Sequence, residues 1–95
     1  MYRYPIAIEV GSETDAWGVI VPDIEGCFSA GDSLNETAEN AREAICGHLE
    51  LIAEAGEVPP EPSSISGARD EVLSDNEPDQ QYVWFLVDID PTPYF

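Results

Sequence analysis

The sequence predicts an α+β domain in which one long helix packs on a mainly antiparallel sheet of three to four strands. Apolar residues alternate with polar ones in the first third of the chain, and a short, nearly continuous apolar run lies near its end, and both patterns are typical of strands. In the middle of the chain they recur every three to four residues, which is typical of a helix. The chain of 95 residues is large enough for one core, so we expect a single domain over residues 1–95 in the order β-β-β-α-(short α)-β.

Three short strands are predicted before any helix begins. The first covers residues 2–10, and Pro5 suits an edge or an early position because it has no N–H to donate. A polar turn leads to a second strand at 16–21, for which a hairpin is the economical pairing. A third strand at 27–30 completes a meander. The core-facing positions of the first strand are expected to be Tyr4, Ile6, Ile8 and Val10.

A long amphipathic helix follows, and its two ends are well marked. Ser33 and Glu36 form a capping box, and Asp32 adds a negative charge near the positive end of the helix. Gly56 stands where a C′ glycine belongs, and Pro59-Pro60 prevents continuation. The helix should therefore contain about 22 residues and be about 33 Å long. Its expected buried face is formed by Leu34, Ala38, Ala41, Ile45, Leu49 and Ile52.

The last third of the chain is predicted to contain a connector, a short helix and a final strand. A proline-rich connector at 57–64 precedes a short helix at 66–74, and residues 75–80 read as a polar loop. The strand at 82–89 carries apolar residues on both faces, so we expect both faces to be covered or paired. In the short helix, the expected cap is Ser66 and the expected core-facing residues are Arg69 and Leu73.

The net charge restricts the classes of partner. The chain has twenty acidic residues, three arginines and no lysine, which gives a net charge of −17. Such a field repels phosphate backbones and attracts basic proteins, so we expect no direct binding of nucleic acid. An alternative reading is that the acidity serves solubility or adaptation to a salty cytoplasm.

Neither a metal site nor a cofactor is predicted. Cys27 and Cys46 are too few for a disulfide framework or a zinc site, and we expect two reduced thiols. The single histidine, His48, is expected to pack at the edge of the helix's apolar face. Neither a signal peptide nor a run of about 20 apolar residues is present, so a cytoplasmic protein without membrane contact is expected.

Four segments resemble HicB-like antitoxins, in the order of that family. Residues 21–33 resemble its signature, in which an aliphatic strand enters a Pro-Asp-x-x-Gly turn and the next strand ends in Gly-Asp. Residues 36–44 are similar to the family's first helix, and 58–63 are similar to its proline-serine link. Residues 84–90 resemble its last strand. Together these segments extend over nearly the whole chain.

The resemblance implies a partial RNase H-like fold and membership of a type II toxin–antitoxin pair. The implied partner is HicA, a small basic toxin with a double-stranded-RNA-binding-like fold that cleaves mRNA using a histidine. The antitoxin would neutralise it by covering its active or RNA-binding surface, without catalysis of its own. Many members carry a C-terminal DNA-binding module. This chain stops at Phe95, where such a module would begin, so none is expected within it.

Two groups of residues are the predicted toxin contacts. The first lies in the Pro-Asp turn and comprises Asp23, Ile24 and Glu25, and the second follows the connector and comprises Asp70, Glu71 and Asp75. A structural alternative is that Asp23 only bonds turn amides and that Asp32 only complements the helix. Gly26 and Gly31 are expected to supply positive φ angles. The residues expected to serve turns and caps are Pro22, Gly26, Gly31, Asp32, Ser33, Glu36 and Gly56.

Two other functions are alternatives to this one. A metal-dependent RNase H-like nuclease would need converging carboxylates, for which Glu9, Asp23 and Asp88 are the candidates, although their spacing matches no recognised catalytic pattern. The second alternative is an acidic regulatory protein that has no toxin partner.

The chain could also associate with itself. Sheet edges near Pro5 or Tyr82 could pair between chains, which would give a homodimer or tetramer.

Overall fold

The structure is a computed structural model that describes residues 1–75 and 81–95, with only the backbone described for 73–75. Its elements are β1 (Tyr2–Glu9), β2 (Trp17–Ile20), β3 (Phe28–Gly31), α1 (Leu34–Glu54), α2 (Ile65–Asp75), β4 (Tyr82–Ile89) and a 3-10 turn at Thr92–Tyr94. The strands form one sheet in the order β3-β2-β1-β4, with every neighbouring pair antiparallel. This confirms the predicted α+β architecture and element order. The C-terminal 3-10 turn was not predicted.

The main core lies between the sheet and α1. Tyr4, Ile6 and Ile8 of β1 are fully buried against Ala41, Ile45 and Leu49 of α1, so both predicted apolar faces are confirmed there. Val10 is the exception, since it lies beyond the end of β1 and is exposed.

The opposite face of the sheet is covered by α2. Pro5 and Ala7 point away from α1 because side chains alternate along a strand, and both are nevertheless buried. α2 contacts β1, and its buried residues Ala68 and Val72 lie outside the cluster formed with α1. The sheet therefore has a helix on each face.

The predicted cap of α2 and the expected burial of Arg69 were wrong, since the helix begins one residue earlier and is capped two residues earlier than expected, and a different residue faces the core. The N–H of Gly67 donates to the Ser64 hydroxyl at 3.1 Å, so Ser64 occupies the capping position predicted for Ser66. Each residue advances about 100° around a helix, and the core-facing position falls on Ala68 while Arg69 is exposed. The side chain of Leu73, also expected in the core, lies outside the described residues.

Pro5 lies in a central strand at no cost in hydrogen bonds. The N–H of Val10 donates to Gln81 O at 3.2 Å in the register that β1 keeps with β4. Hydrogen-bonded and non-hydrogen-bonded pairs alternate, so Pro5 faces Leu86 in a non-hydrogen-bonded pair. On its other side β2 has already ended at Ile20. The missing N–H of Pro5 is therefore required by neither neighbour.

The N-terminal end of α1 shows a variant of the predicted capping box. The Ser33 hydroxyl accepts from the N–H of Glu36 at 3.2 Å, as expected. The Glu36 carboxylate accepts from the N–H of Asp32 at 3.4 Å, one residue before the cap. Thr37, which the apolar pattern did not mark, is fully buried and donates to Ser33 O at 2.6 Å.

The C-terminal end of α1 forms a Schellman motif. Gly56 has a φ of +79°, and its N–H donates to Ala53 O at 3.0 Å. The N–H of Glu57 donates to Ile52 O at 3.0 Å. This pair of bonds defines the motif, and the predicted C′ glycine is confirmed.

The two turn glycines have different roles. Gly26 has a φ of +77°, as predicted. The expectation of a positive φ at Gly31 was wrong, because the glycine is needed there for close approach. A Cβ at Gly31 would lie 2.5 Å from Thr37 Oγ1 and 2.8 Å from Thr37 N. Gly31 thus allows the end of β3 to pack directly on the first turn of α1.

β4 lies at an edge of the sheet, and the expectation that both its faces are covered or paired holds only in part, since Val87 and Ile89 are buried but two other side chains are exposed. Within residues 1–75 and 81–95 its one neighbour is β1. Phe85 is 37% exposed and Leu86, on the other face, is 47% exposed. Hydrophobicity alone could not tell an edge strand from a central one.

Candidate functional site

The turn between β2 and β3 contains the first predicted contact group. The N–H of Ile24 donates to Val21 O at 3.2 Å, and the N–H of Cys27 donates to Ile24 O at 3.1 Å. Ile24 is only 3% exposed and belongs to the core, whereas Glu25 is exposed. We call residues 23–25 the acidic ridge. Ile24 holds the ridge to the core, and Glu25 is its outward-facing acid.

Asp23 is tied to the proline-rich connector. Its carboxylate accepts from the N–H of Ser63 at 2.8 Å and from the Ser63 hydroxyl at 2.6 Å. The connector is held a second time by the Tyr4 hydroxyl, which donates to Pro60 O at 2.7 Å. Asp23 therefore has a structural role, with a partner 40 residues away instead of the turn amides that the sequence suggested.

A groove of about 440 Å³ lies on one side of the acidic ridge, at the C-terminal end of α1. Two large apolar side chains are exposed at this groove, Leu51 at 63% and Val58 at 68%. We call it the α1 groove, and it is lined by Asp23, Ile24, Glu25, His48, Leu51, Ile52, Ala55, Glu57, Val58 and Pro60. The combination of exposed apolar residues and an acidic border is typical of a protein contact surface.

Leu51, Val58 and His48 were not predicted as contact residues. A signal for Leu51 was present in the sequence, because it is an apolar residue that falls off the buried face of α1. Val58 carried no such signal, since its position depends on how the connector folds back. His48 is half-buried at the groove, which fits the predicted boundary position.

The α1 groove is strongly electronegative. The C-terminal end of a helix carries a partial negative charge that a basic residue in the last turn normally offsets. The last turn of α1 has no basic residue and contains Glu54. Glu57 and Glu25 add two more carboxylates at the groove. A cationic group from another molecule would therefore be stabilised there.

A second groove of about 230 Å³ lies on the other side of the ridge, towards α2. We call it the α2 groove, and it is lined by Ile20, Val21, Pro22, Ile24, Glu25, Gly26, Cys27, Phe28, Glu71 and Val72. Ile24 and Glu25 line both grooves, and Phe28 is an exposed aromatic residue on β3. The turn and α2 thus contribute to one surface.

The second predicted contact group is only partly brought to this surface. Glu71 lines the α2 groove beside Glu25. Asp70 is exposed on α2 and lines neither groove. Asp75 is the last residue of α2, and its side chain lies outside the described residues.

Burial keeps the nearest titratable core groups neutral around physiological pH. Burial, followed by the charges of Tyr2 and Asp23, raises the pKa of Tyr4 to about 12. Burial also raises the pKa of the Cys27 thiol. Neither of these two groups is therefore poised to lose its proton near neutral pH.

The carboxylates considered for a nuclease do not converge. Arg3 pairs with Asp88 and Glu9 pairs with Tyr82, so Glu9 and Asp88 lie at opposite ends of the β1–β4 ladder. Six residues of strand separate them by roughly 20 Å, whereas a two-metal site holds its ions about 4 Å apart. Among the described residues, no cluster of three or more His, Cys, Asp or Glu side chains could hold a metal ion.

No described helix is long and apolar enough to cross a membrane.

Comparison with known proteins agrees with the resemblance seen in the sequence. The family model described as a HicB-like antitoxin of a bacterial toxin–antitoxin system matches residues 4–95. A curated relative, an uncharacterised 14.9 kDa protein of Haemophilus phage HP1 from the rep–hol intergenic region, is 40% identical over 90 residues. That match covers 94% of this chain and 62% of the phage protein.

Solved structures of antitoxins share the fold. The N-terminal domain of Burkholderia pseudomallei antitoxin HicB superposes with a TM-score of 0.69 and is 36% identical, over 93% of this chain and 98% of that domain. The B. pseudomallei HicB antitoxin itself gives 0.73 at 36% identity, over 95% of this chain and 64% of that one.

A chain of the HicA3 and HicB3 toxin–antitoxin complex gives a TM-score of 0.70 at 31% identity, over 94% of this chain and 99% of that chain. This chain thus spans less than two thirds of the phage relative and of the longer B. pseudomallei antitoxin. The match of a family model to almost every residue, together with these structures, shows that the chain belongs to the family of HicB-like antitoxins of bacterial toxin–antitoxin systems.

Proposed function

We propose that this chain neutralises a small basic HicA-type toxin by binding it through the acidic ridge and its two grooves. The observation that carries the proposal is the α1 groove, where the exposed apolar side chains of Leu51 and Val58 lie beside an uncompensated helix C-terminus. Such a site fits an apolar side chain flanked by lysine or arginine. The likeness to a chain of the HicA3 and HicB3 complex supports a toxin as the partner.

Charge and apolar contact have separate roles in this proposal. An mRNA-cleaving toxin needs a basic surface for phosphates, and a chain with a net charge of −17 competes for that surface. Long-range attraction accelerates the encounter, but salt at physiological concentration screens it beyond about 8 Å. Packing against Leu51 and Val58 then keeps the complex together.

The proposed inhibition is steric, and the chain itself catalyses no reaction. Once seated on the ridge, the toxin has its active or RNA-binding surface covered by protein. The same acidic surface repels phosphates, so direct binding of nucleic acid by these residues is not part of the proposal. The proposed place of action is the cytoplasm, where an mRNA-cleaving toxin meets its substrate.

The test has two assays with a HicA-type toxin. Binding is measured with a toxin whose catalytic histidine has been replaced, and inhibition of mRNA cleavage is measured with the active toxin. The expected result is a stable complex in which cleavage is abolished at equimolar antitoxin. Glu25→Lys reverses the outward charge of the ridge, and Leu51→Asp removes the apolar contact. Each should weaken binding at least tenfold, about 1.4 kcal/mol.

Glu13→Lys is the matched control, because it makes the same charge change at an exposed site in the loop between β1 and β2. It should leave affinity within twofold at physiological salt. A toxin that binds all variants equally well would place the contact surface elsewhere. Absence of binding to the toxin encoded beside this chain's gene would favour an orphan regulator instead.

A further inference from the structure

Part of the backbone of β3 points out of the sheet. In the described part of the chain its one strand neighbour is β2. The N–H of Val21 donates to Cys27 O at 3.3 Å, which makes these two residues a hydrogen-bonded pair. Hydrogen-bonded and non-hydrogen-bonded pairs alternate along an antiparallel ladder, so Phe28 and Ala30 belong to non-hydrogen-bonded pairs with β2. Their N–H and C=O groups therefore point away from β2.

Helix α1 covers one of these outward-pointing groups. The side-chain amide of Asn40 donates to Ala30 O at 2.8 Å. The N–H and C=O of Phe28 and the N–H of Ala30 have no hydrogen bond to any other described residue. The edge is thus protected at its C-terminal end and leaves two donors and one acceptor for a strand of another molecule.

The exposed side chain of this edge is aromatic. Cys27 packs in the core with α1, and side chains alternate along a strand, so Phe28 points to the opposite face of the sheet. Phe28 is 66% exposed there and lines the α2 groove together with Ile20 and Glu25. In strand addition the backbone supplies affinity and side-chain contacts supply specificity. An exposed aromatic residue beside available backbone groups suits this mode of binding.

The charges around β3 identify the kind of strand that fits. Glu25 precedes β3 and Asp32 follows it, and both are exposed. Glu36 adds a carboxylate beside Asp32, since it accepts from the N–H of Asp32 at 3.4 Å. Antiparallel pairing with β3 of a second copy would bring Glu25 of each chain near Asp32 of the other, which like-charge repulsion disfavours. A strand flanked by lysine or arginine is attracted at both ends instead.

We propose that the HicA-type toxin adds one of its own strands to the outer edge of β3, with an apolar side chain against Phe28 and basic side chains beside Glu25 and Asp32. This inference rests on the proposed function and specifies how the toxin is held. The acidic ridge leads directly into β3, and Glu25 lines both grooves, so the edge continues the proposed toxin surface. Backbone bonds to Phe28 and Ala30 fix the orientation of the toxin on that surface.

The first test is amide hydrogen exchange of the chain, measured residue by residue by NMR with and without a toxin whose catalytic histidine has been replaced. In the free chain the amides of Phe28 and Ala30 should exchange rapidly, whereas those of Ser29 and Gly31, which point to β2, should be protected. Saturating toxin should slow exchange at Phe28 and Ala30 by about tenfold or more.

The exchange rates also separate this inference from the proposed function. A complex in which Phe28 and Ala30 exchange as fast as in the free chain would overturn strand addition and leave toxin binding intact. Absence of any complex would overturn both. Protection of these two amides in the complex supports both.

The second test uses two variants of the edge. Ala30→Pro removes an outward-pointing N–H without breaking a bond to β2, and circular dichroism confirms that the variant folds. Phe28→Ala removes the aromatic contact. Each should raise the dissociation constant of the toxin complex by about tenfold or more.

Phe95→Ala is the matched control for Phe28→Ala, because Phe95 is similarly exposed, at 70%, and follows the C-terminal 3-10 turn. It should leave the dissociation constant within about twofold, as expected for a residue outside the contact. If Phe28→Ala weakens binding but a folded Ala30→Pro does not, Phe28 is a side-chain contact only and strand addition is wrong. Equal affinity of the wild type and both edge variants would exclude the β3 edge from the interface.

Discussion

Asp23 and Ser63 join the turn between β2 and β3 to a connector 40 residues later in the chain. Both carboxylate oxygens of Asp23 are used, Oδ2 by the Ser63 N–H at 2.8 Å and Oδ1 by the Ser63 hydroxyl at 2.6 Å. Asp23 and Pro60 both line the α1 groove, one from the turn and the other from the connector. The bonds between Asp23 and Ser63 therefore hold the connector side of the groove against the turn side. The motif that marks the family in the sequence therefore also positions its connector.

Breaking this link should lower stability measurably. We expect Asp23→Ala to reduce the free energy of unfolding by about 1.5–3 kcal/mol, the usual range for hydrogen bonds to a charged group. A double-mutant cycle with Ser63→Ala, measured by urea denaturation, should give a coupling energy of about 1 kcal/mol. A coupling energy near zero would show that the two residues do not stabilise each other in solution.

Gly31 and Gly47 should respond to alanine in opposite directions. A Cβ at Gly31 would lie 2.5 Å from Thr37 Oγ1, so Gly31→Ala should cost about 1–3 kcal/mol through overpacking. Gly47 is exposed inside α1, and a Cβ added there would project into open space, so Gly47→Ala should stabilise the protein by about 1 kcal/mol. Thermal or urea unfolding of both variants checks the pair. Equal effects would mean that β3 and α1 are not in close contact.

Alkaline pH should destabilise the protein through Tyr4. Its pKa in the folded state is raised to about 12, mainly by burial, above the ordinary value of 10.0. The unfolded chain therefore loses this proton first, so the stabilisation is complete below about pH 10 and is lost as the pH rises towards 12. Urea denaturation between pH 8 and pH 12 should show this decline.

Tyr4→Phe is the control for the alkaline transition. It should flatten the decline, although the variant starts lower because the hydrogen bond from the Tyr4 hydroxyl to Pro60 O is lost. Absorbance at 295 nm follows tyrosinate formation directly. A Tyr4→Phe variant with the same pH dependence as the wild type would assign the transition to other groups.

Substitutions of a charged and of an apolar contact residue should affect different rate constants of toxin binding. Glu25→Gln should mainly lower the association rate and reduce its dependence on salt, because Glu25 is an exposed acid at the border of the groove. Leu51→Ala should mainly raise the dissociation rate, by about tenfold, and leave the salt dependence unchanged. Stopped-flow binding at 50 and 300 mM NaCl distinguishes them. The reverse assignment would contradict the proposed division of roles.

Local signals in the sequence determined most of the elements. The cap at Ser33, the glycine at Gly56 and the apolar repeat between them define α1 through interactions within a few residues, so they can be read without knowledge of the fold. The same holds for alternation in β1, where Tyr4, Ile6 and Ile8 were correctly assigned to the core. Composition likewise established the strongly acidic character of the chain.

The errors occurred where the local pattern was weak or where the reason for a residue lies in a contact between two elements. α2 has a weak apolar pattern, which did not show that Ala68 faces the core and that Arg69 is exposed. For Gly31 the reason for glycine is its contact with Thr37, which no turn pattern reveals. In the candidate site, Glu25 was predicted as a contact residue from its motif, whereas Val58 was not, because its position depends on how the connector folds back. Leu51 was missed although its position off the buried face of α1 was a local signal.

The sequence alone therefore determined the fold class, the family and the acidic nature of the surface, because these follow from short-range patterns and composition. Only the tertiary structure decided that Asp23 is bonded to the connector while Glu25 faces outwards. It also decided that the apolar β4 lies at an edge of the sheet that the described residues form. The physical reason is that exposure and hydrogen-bond partners depend on neighbours distant in the chain, which local periodicity does not encode.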